Sequence, residues 1–209
     1  NSHGQKTKEI DANGFEIYYN YDAAGNVVSI ADSFGTKTKE YDALSMVTKE
    51  IDALGNEIAY IRNERGELIE QRTPNGKKTY TYDADGQKIY ETDANNNPKS
   101  YTYDAWSRVI AETDSYGTTS FTYDAYGNKL TSTDELGVTT TFVYDAANRL
   151  IQTIHPNGST TENVYDAAGN LSQTIDVLGN ATTYEYDLLG RKIKDIDAKG
   201  RVTTYEYDV

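Results

Sequence analysis

A Tyr-Asp pair recurs every 20 or 21 residues, and this periodicity constrains the fold more strongly than any other feature of the sequence. The pairs begin at Tyr21, Tyr41, Tyr82, Tyr103, Tyr123, Tyr144, Tyr165, Tyr186 and Tyr207, and Arg62-Asn63 stands in the one vacant position. A second turn residue lies midway between successive pairs, and this series is Asp11, Asp32, Asp52, Thr73, Asp93, Asp114, Asp134, His155, Asp176 and Asp197. Units this small cannot bury a core alone, so neighbouring units must share one continuous surface.

Glycine placement predicts what these positions do. All 16 glycines lie three residues after a turn position, and four further turns have Ser45, Asn96, Ser107 or Asn148 in that slot. An Asp at the first turn position accepts a hydrogen bond from the backbone amide two residues on, and a left-handed Gly closes the turn. We therefore predict consecutive hairpins in which nearly every glycine has positive φ and Asn96 and Asn148 are left-handed.

The segments between turns alternate aromatic and hydroxyl residues, which is typical of strands. The aromatic row stands two residues before the Tyr-Asp pairs and contains Tyr19, Tyr60, Tyr80, Tyr101, Phe121, Phe142, Tyr184 and Tyr205, with interruptions at Lys39 and Asn163. An aliphatic row stands seven residues after the Tyr and contains Val28, Ile69, Ile89, Ile110, Leu130, Ile151 and Ile193. The predicted fold is all-β, with tandem antiparallel β-hairpin repeats of about 21 residues in a curved or spiral single-layer sheet. A parallel β-solenoid is the alternative.

The return segment that leads to each Tyr-Asp pair alternates between 9 and 10 residues as far as Tyr144 and stays at 10 afterwards. A change of one residue would turn every side chain to the other face unless a bulge absorbs it. We therefore predict bulges in the return segments and more regular pairing after about residue 144.

Composition limits the possible partners. The 209 residues carry a net charge of −13, which repels phosphate, so we expect no nucleic-acid partner. No apolar run approaches the roughly 20 residues of a membrane-spanning helix, so no membrane span is expected. Because the chain begins and ends within turns, we interpret residues 1–209 as a single uncapped array of about ten units, whose partners include adjacent repeats of a longer parent protein. Unpaired terminal strands and a Tyr-rich apolar face predict self-association through edge strands.

Repeated Tyr-Asp-Ala-Ala-Gly-Asn at residues 21–26 and 165–170, with Tyr-Asp-Ala-Tyr-Gly-Asn at residues 123–128, resembles the Rhs or YD-repeat family. This family includes bacterial Rhs polymorphic toxins, the B and C components of insecticidal toxin complexes, and the animal teneurins. The resemblance covers essentially the whole chain. It implies a hairpin ribbon that spirals into a hollow shell, which in the toxins encloses a C-terminal effector. The Asp-Pro-x-Gly motif of the self-cleaving members is absent from the sequence, so autoproteolysis is not implied for any residue here.

The resemblance implies a structural wall segment of a shell that encapsulates a toxin or effector domain. An enclosed effector polypeptide is then an expected partner, and the expected location is secreted or at the bacterial cell surface. The alternative function is an extracellular adhesion or carbohydrate-binding repeat surface.

Chemical activity is not expected, and we predict no catalytic, cofactor-binding or metal-binding residues. His3 and His155 stand in turns, where no Ser-His-Asp arrangement can be assembled around them. Calcium needs six to eight oxygen ligands, whereas aspartates of successive turns at one edge would be about 9.5 Å apart. Sugar- and choline-binding repeats use large aromatic cages, but Trp106 is the one tryptophan in the sequence.

Overall fold

The structure is a computed structural model that describes residues 1–208. Val209, the last residue of the predicted array, lies outside the described residues. The chain divides into two compact units, Asn1–Tyr101 and Thr102–Val209. Each unit consists of short strands joined by tight turns, and no helix occurs within residues 1–208. The single array over residues 1–209 stays a prediction.

In the first unit every strand pairs antiparallel with the next strand along the chain. Its strands are β1 (Lys8–Ile10), β2 (Glu16–Tyr21), β3 (Val27–Asp32), β4 (Gly35–Tyr41), β5 (Val47–Ile51), β6 (Glu57–Arg62), β7 (Leu68–Thr73), β8 (Gly76–Tyr82), β9 (Lys88–Thr92) and β10 (Pro98–Tyr103), the last of which ends in the second unit.

The second unit repeats this antiparallel succession from β11 to β20. Its strands are β11 (Val109–Thr113), β12 (Thr118–Tyr123), β13 (Lys129–Thr133), β14 (Thr139–Tyr144), β15 (Leu150–Ile154), β16 (Thr160–Tyr165), β17 (Leu171–Ile175), β18 (Ala181–Tyr186), β19 (Lys192–Ile196) and β20 (Val202–Thr204). The predicted all-β hairpin repeat is confirmed, and the parallel solenoid alternative is wrong.

The turn prediction is confirmed at every glycine, since all sixteen have φ between 73° and 146°. Asn96 and Asn148 are left-handed as predicted, with φ of 63° and 60°. Ser45 and Ser107 adopt the same conformation, with φ of 61° and 63°. The slot therefore imposes positive φ on whatever residue occupies it, including residues that rarely adopt this conformation.

The bulge prediction was wrong in its location. Tyr41 pairs with Val47, whereas Glu40 pairs with Lys49, so Thr48 is the extra residue. The same shift lies beside the pairs that begin at Tyr21, Tyr41, Arg62, Tyr82, Tyr123, Tyr144, Tyr165 and Tyr186. The bulge therefore belongs to the outgoing strand, at the position of the aliphatic row, and it persists beyond residue 144.

The return segments alternate between 9 and 10 residues because their turns differ in length, and no bulge in the return strand is involved. Asp32 pairs directly with Gly35 across a two-residue turn, and Thr73 pairs with Gly76 in the same way. The longer segments begin with a three-residue loop, in which the amide of Asp52 donates to the carbonyl of Asn56 at 3.0 Å. Because the additional residue stays in the loop, the strands keep one register and every side chain keeps its face.

Neither unit has a closed core. Among residues 1–208 no side chain is fully buried, and all are half-buried or exposed. Stability must therefore come from the backbone ladder, the turns and cross-strand pairs, each of which depends on the neighbouring hairpin.

Candidate functional site

The turn aspartates are hydrogen-bonded within their own turns. At Asp52, Oδ1 accepts the amides of Leu54 at 2.8 Å and Asn56 at 2.9 Å, and Oδ2 accepts the Asn56 side-chain amide at 2.8 Å. Both backbone bonds recur at Asp11, Asp42, Asp83, Asp93, Asp104, Asp124, Asp134, Asp145, Asp176, Asp187 and Asp197, and at Asn63. These carboxylates stabilise turns, which accounts for their spacing without a ligand.

Two turns have neither Asp nor Asn at their first position, and they use other donors and acceptors. Thr73 Oγ1 accepts the Asn75 amide at 3.3 Å and donates to the Gly76 carbonyl at 3.1 Å. In the His155 turn, Asn157 Oδ1 accepts the Ser159 amide at 3.0 Å. His155 Nε2 is enclosed without a hydrogen-bond partner in the described part of the chain. The other histidine, His3, is exposed.

The tyrosine of the Tyr-Asp pair connects one hairpin to the preceding one. Tyr41 donates its hydroxyl to the carbonyl of Val27 at 2.8 Å, and Tyr82 donates to the carbonyl of Leu68 at 2.9 Å. Equivalent bonds are donated by Tyr21, Tyr123, Tyr165, Tyr186 and Tyr207. The acceptor lies at the start of the preceding outgoing strand, beside the bulge. The pair thus divides two tasks, because Asp stabilises a turn and Tyr joins successive hairpins.

Arg62 performs the tyrosine task in the one position where the motif is broken. Its guanidinium donates from Nη1 to the carbonyl of Val47 at 2.7 Å, which is the acceptor that a tyrosine would use there. Its neighbour Asn63 supplies the oxygen that accepts both turn amides. The position requires a long side chain that ends in a hydrogen-bond donor, and both Tyr and Arg meet this requirement. A search for the Tyr-Asp pair alone does not identify Arg62.

We therefore expect Arg62→Tyr to leave the stability of the chain unchanged and Arg62→Leu to reduce it by about 1 kcal/mol, the usual contribution of one hydrogen bond. Urea unfolding followed by circular dichroism measures both variants. Arg72→Leu is the control, because Arg72 is an exposed residue of the same unit that pairs with Glu70. Equal stability of Arg62→Leu and the unchanged chain would contradict this role.

Side chains five residues after the Tyr connect successive Tyr-Asp turns. The Asn26 amide donates to Ser45 Oγ at 3.0 Å, and the Asn128 amide donates to Asn148 Oδ1 at 2.8 Å. Where this residue is Arg149, its guanidinium bonds Asp145 and lies 4.4 Å from the centre of the Tyr165 ring. Turns of neighbouring hairpins therefore contact each other through side chains as well as through the strands.

Tyrosines of the aromatic row, which stands two residues before the Tyr-Asp pairs, also bond polar groups. Tyr205 donates its hydroxyl to Asp195 at 2.7 Å, Lys192 bonds the same carboxylate at 3.0 Å, and the Lys192 amine lies 5.0 Å from the centre of the Tyr205 ring. Tyr19, Glu9 and Lys6 repeat this cluster in the first unit. The predicted Tyr-rich face therefore also carries hydroxyl groups and ion pairs at these two clusters.

Shallow grooves recur between successive Tyr-Asp turns. One of about 490 Å³ lies between the turns of Asp124 and Asp145, and Phe142 is part of its lining. Another of about 370 Å³ lies between the turns of Asp42 and Asn63 in the first unit, with Tyr60 at the same repeat position as Phe142. The repeat therefore builds the same concavity more than once.

No group of three or more His, Asp or Glu side chains in residues 1–208 is arranged to hold a metal ion. Within the same residues no helix is long and apolar enough to cross a membrane. The absence of metal, cofactor and catalytic sites remains a prediction about the molecule in solution.

Because the turn carboxylates already accept backbone amides, we expect calcium to be dispensable. Thermal unfolding in millimolar calcium and in excess chelator should give midpoints within about 2 °C, since only a ligand that binds the folded state raises the midpoint. Magnesium at the same ionic strength is the control for screening. A rise of about ten degrees specific to calcium would refute this expectation.

The family model described as Teneurin YD-shell matches residues 2–160 and 89–209, and these matches together cover nearly the whole chain. This chain belongs to the teneurin YD-shell family. The membership confirms the resemblance drawn from the Tyr-Asp repeats. The comparison with curated proteins found no match to the chain.

Solved toxin-complex structures contain the same fold. A mutant Tc holotoxin pore from Photorhabdus luminescens aligns with a TM-score of 0.65 and 15% identity over 93% of this YD-shell chain and 14% of its own. A TcdB2-TccC3-Cdc42 crystal structure aligns with a TM-score of 0.68 and 18% identity, over 92% of this chain and 12% of its own. At these identities the likeness concerns the fold alone. The YD-shell chain spans about one eighth of the length of these relatives.

Proposed function

We propose that this YD-shell chain is a wall segment of a hollow shell that encloses a toxin or effector polypeptide. One observation carries the proposal, which is that both residues of the repeated pair bond other parts of the repeats. The Asp accepts amides of its own turn, and the Tyr, or Arg62 in its place, donates to the preceding hairpin. A repeat whose most regular residues only join it to itself is suited to building a surface. The similar structures are of TcdB2-TccC3 complexes, which favours a toxin-associated shell.

The proposal includes no catalytic role, no cofactor and no metal. It places the parent protein outside the bacterial cell or on its surface, in agreement with the toxin complexes that share the fold. Its partners are adjacent repeats of the parent and the polypeptide within. A single-layer sheet fits this role, because it covers a large area with few residues and each hairpin is stabilised by its neighbours.

The chain contains no cysteine, so single cysteines can test which face is shielded. Thr140 lies on the face of Phe142, and Thr141 lies on the opposite face of β14. We expect Thr140→Cys and Thr141→Cys to react alike with a bulky polymer-linked maleimide in the isolated chain. In the longer parent protein, one of them should be shielded at least tenfold more than the other.

A small maleimide that can enter a lumen is the control, and it should label both positions in the parent protein. Equal labelling of the two cysteines by the bulky reagent in the parent would show that both faces meet solvent. That result would contradict a wall and favour the adhesion or carbohydrate-binding alternative, in which a glycan array should then detect binding.

A further inference from the structure

The only sulfur atom of the chain lies where two successive hairpins meet. The sequence contains no cysteine, and Met46 is its one methionine. Met46 stands five residues after Tyr41, in the position whose side chain connects successive Tyr-Asp turns. Every other member of this position carries a hydrogen-bonding group, and these members are Asn26, Glu67, Gln87, Arg108, Asn128, Arg149, Asn170 and Arg191. Met46 is therefore the one member that connects the turns by packing.

Met46 packs against the turn of Asn63. A Cβ on Gly66, the left-handed residue of that turn, would lie 3.5 Å from the methyl carbon of Met46 and 4.0 Å from its sulfur. The carbonyl of the next residue, Val47, accepts the hydrogen bond of Arg62 at 2.7 Å. We call these two interactions the Met46 contact. Two departures from the repeat coincide in it, since Met46 replaces a polar residue and Arg62 replaces a Tyr. Departures from a local rule are expected at functional or strained sites.

The Met46 contact is open to small solutes. Met46 is half-buried, and it lines the groove of about 370 Å³ between the turns of Asp42 and Asn63. Leu44 and Glu64 line the same groove, and both are exposed. Hydrogen peroxide is little larger than water, so it reaches the thioether without opening the fold. Because the chain has no thiol, this thioether is the group that peroxide oxidises first.

The surroundings of this sulfur suit a hydrogen-bond donor and not an acceptor. In six Tyr-Asp turns the side chain at this position donates to Oδ2 of the Asp in the same turn, and the donors are Asn26, Arg108, Asn128, Arg149, Asn170 and Arg191. The equivalent acid is Asp42, whose Oδ1 accepts the amides of Leu44 at 2.9 Å and Met46 at 3.0 Å. A sulfoxide oxygen accepts hydrogen bonds and cannot donate them, so it adds negative charge density in the same turn as a carboxylate. Oxidation therefore opposes both the packing on Gly66 and the electrostatics of the Asp42 turn.

We propose that Met46 is an oxidation site whose sulfoxide weakens the Met46 contact. A sulfur lone pair attacks one oxygen of hydrogen peroxide, the O–O bond breaks, and the departing hydroxide takes up the remaining proton and leaves as water. The thioether is thus oxidised to the sulfoxide and the peroxide is reduced to water, and methionine sulfoxide reductases reverse the change. This site does not depend on the shell function, because it concerns the stability of the hairpin array itself.

Peroxide treatment of the full 209-residue chain tests the proposal. We expect intact-mass measurement to show uptake of one oxygen atom, at a rate within about tenfold of that of a short methionine peptide. The oxidised chain should have a urea midpoint lower by about 0.5 M, and reduction by methionine sulfoxide reductases of both stereospecificities should restore it. Hydrogen exchange should locate the loss, with protection of the β6 and β7 amides lowered about tenfold and that of β16–β19 unchanged.

Met46→Leu is the matched control, because leucine keeps the apolar volume and carries no sulfur. Its urea midpoint should be close to that of the unoxidised chain and should not change with peroxide. Met46→Asn introduces the residue that stands at positions 26 and 128, and it should be equally insensitive to peroxide. Circular dichroism checks that both variants fold.

Three results would overturn the proposal. The first is failure of Met46 to take up oxygen while the methionine peptide is fully oxidised. The second is an unchanged midpoint after oxygen uptake, or a raised one, which would show that Arg62 binds the sulfoxide oxygen. The third is an equal fall of the midpoint in Met46→Leu, which would show damage to other side chains.

Discussion

Gly76→Ala should destabilise the first unit by about 3 kcal/mol, whereas Gly55→Ala should cost only about 1 kcal/mol. Both glycines have positive φ, so both substitutions strain the backbone. A Cβ on Gly76 would lie 2.5 Å from the carbonyl oxygen and 3.2 Å from the Cβ of Ala94, in the turn of the following hairpin. A Cβ on Gly55 would meet nothing within 4 Å. The difference between the variants therefore isolates the close approach of neighbouring turns.

Urea unfolding followed by circular dichroism gives the two free-energy changes, and hydrogen exchange locates the loss. We expect Gly76→Ala to weaken protection of the amides of β8 and β9 and to leave β16–β19 unaffected. Equal costs for the two substitutions would show that adjacent turns do not pack as closely as the structure indicates.

Acid should unfold the chain over a narrow range below about pH 4, where the turn carboxylates take up protons. The Asn56 side-chain amide and then its backbone amide lower the pKa of Asp52 below the ordinary value of 3.8. The pKa values of Asp22, Asp93, Asp124, Asp166 and Asp176 are lowered in the same way, with an asparagine amide as the largest cause. A lowered pKa in the folded state stabilises it above pH 3.8, and this contribution disappears as pH falls through the folded value.

Asparagine provides the control, because Asn63 shows that an amide oxygen can accept the same two backbone amides without titrating. A variant with Asp52→Asn, Asp93→Asn and Asp176→Asn should lose less stability between pH 5 and pH 3 than the unchanged chain. The urea midpoint, measured across pH 3–8, tests this. If the urea midpoints of the two proteins fall equally between pH 5 and pH 3, the turn carboxylates do not govern acid unfolding.

Much of this fold could be predicted from the sequence because the turns are chemically explicit. An Asp followed three residues later by Gly defines a turn through local bonds, so the left-handed positions and the strand boundaries follow without knowledge of distant contacts. The turns of Asn96 and Asn148 could be predicted for the same reason, since Asn tolerates positive φ. Ser45 and Ser107 could not, because serine has no such preference.

The features that the sequence did not predict depend on contacts between hairpins. The hydroxyl of Tyr82 bonds a carbonyl 14 residues earlier, and no local pattern identifies that acceptor. The same applies to Arg62, because its guanidinium donates to the carbonyl of Val47, which lies 15 residues earlier in the chain. The return segments of 9 and 10 residues differ in the length of their loops. Residue counts alone could not show whether the extra residue lies in a loop or in a strand bulge.

We propose that this YD-shell chain forms part of a wall around an enclosed polypeptide. A cryo-electron microscopy map of a longer protein that contains this chain tests the proposal most directly. We expect residues 1–208 to form hairpins in the wall of a closed shell, with polypeptide density on one face and solvent on the other. A map in which both faces of these hairpins contact bulk solvent, with no enclosed chain, would contradict it.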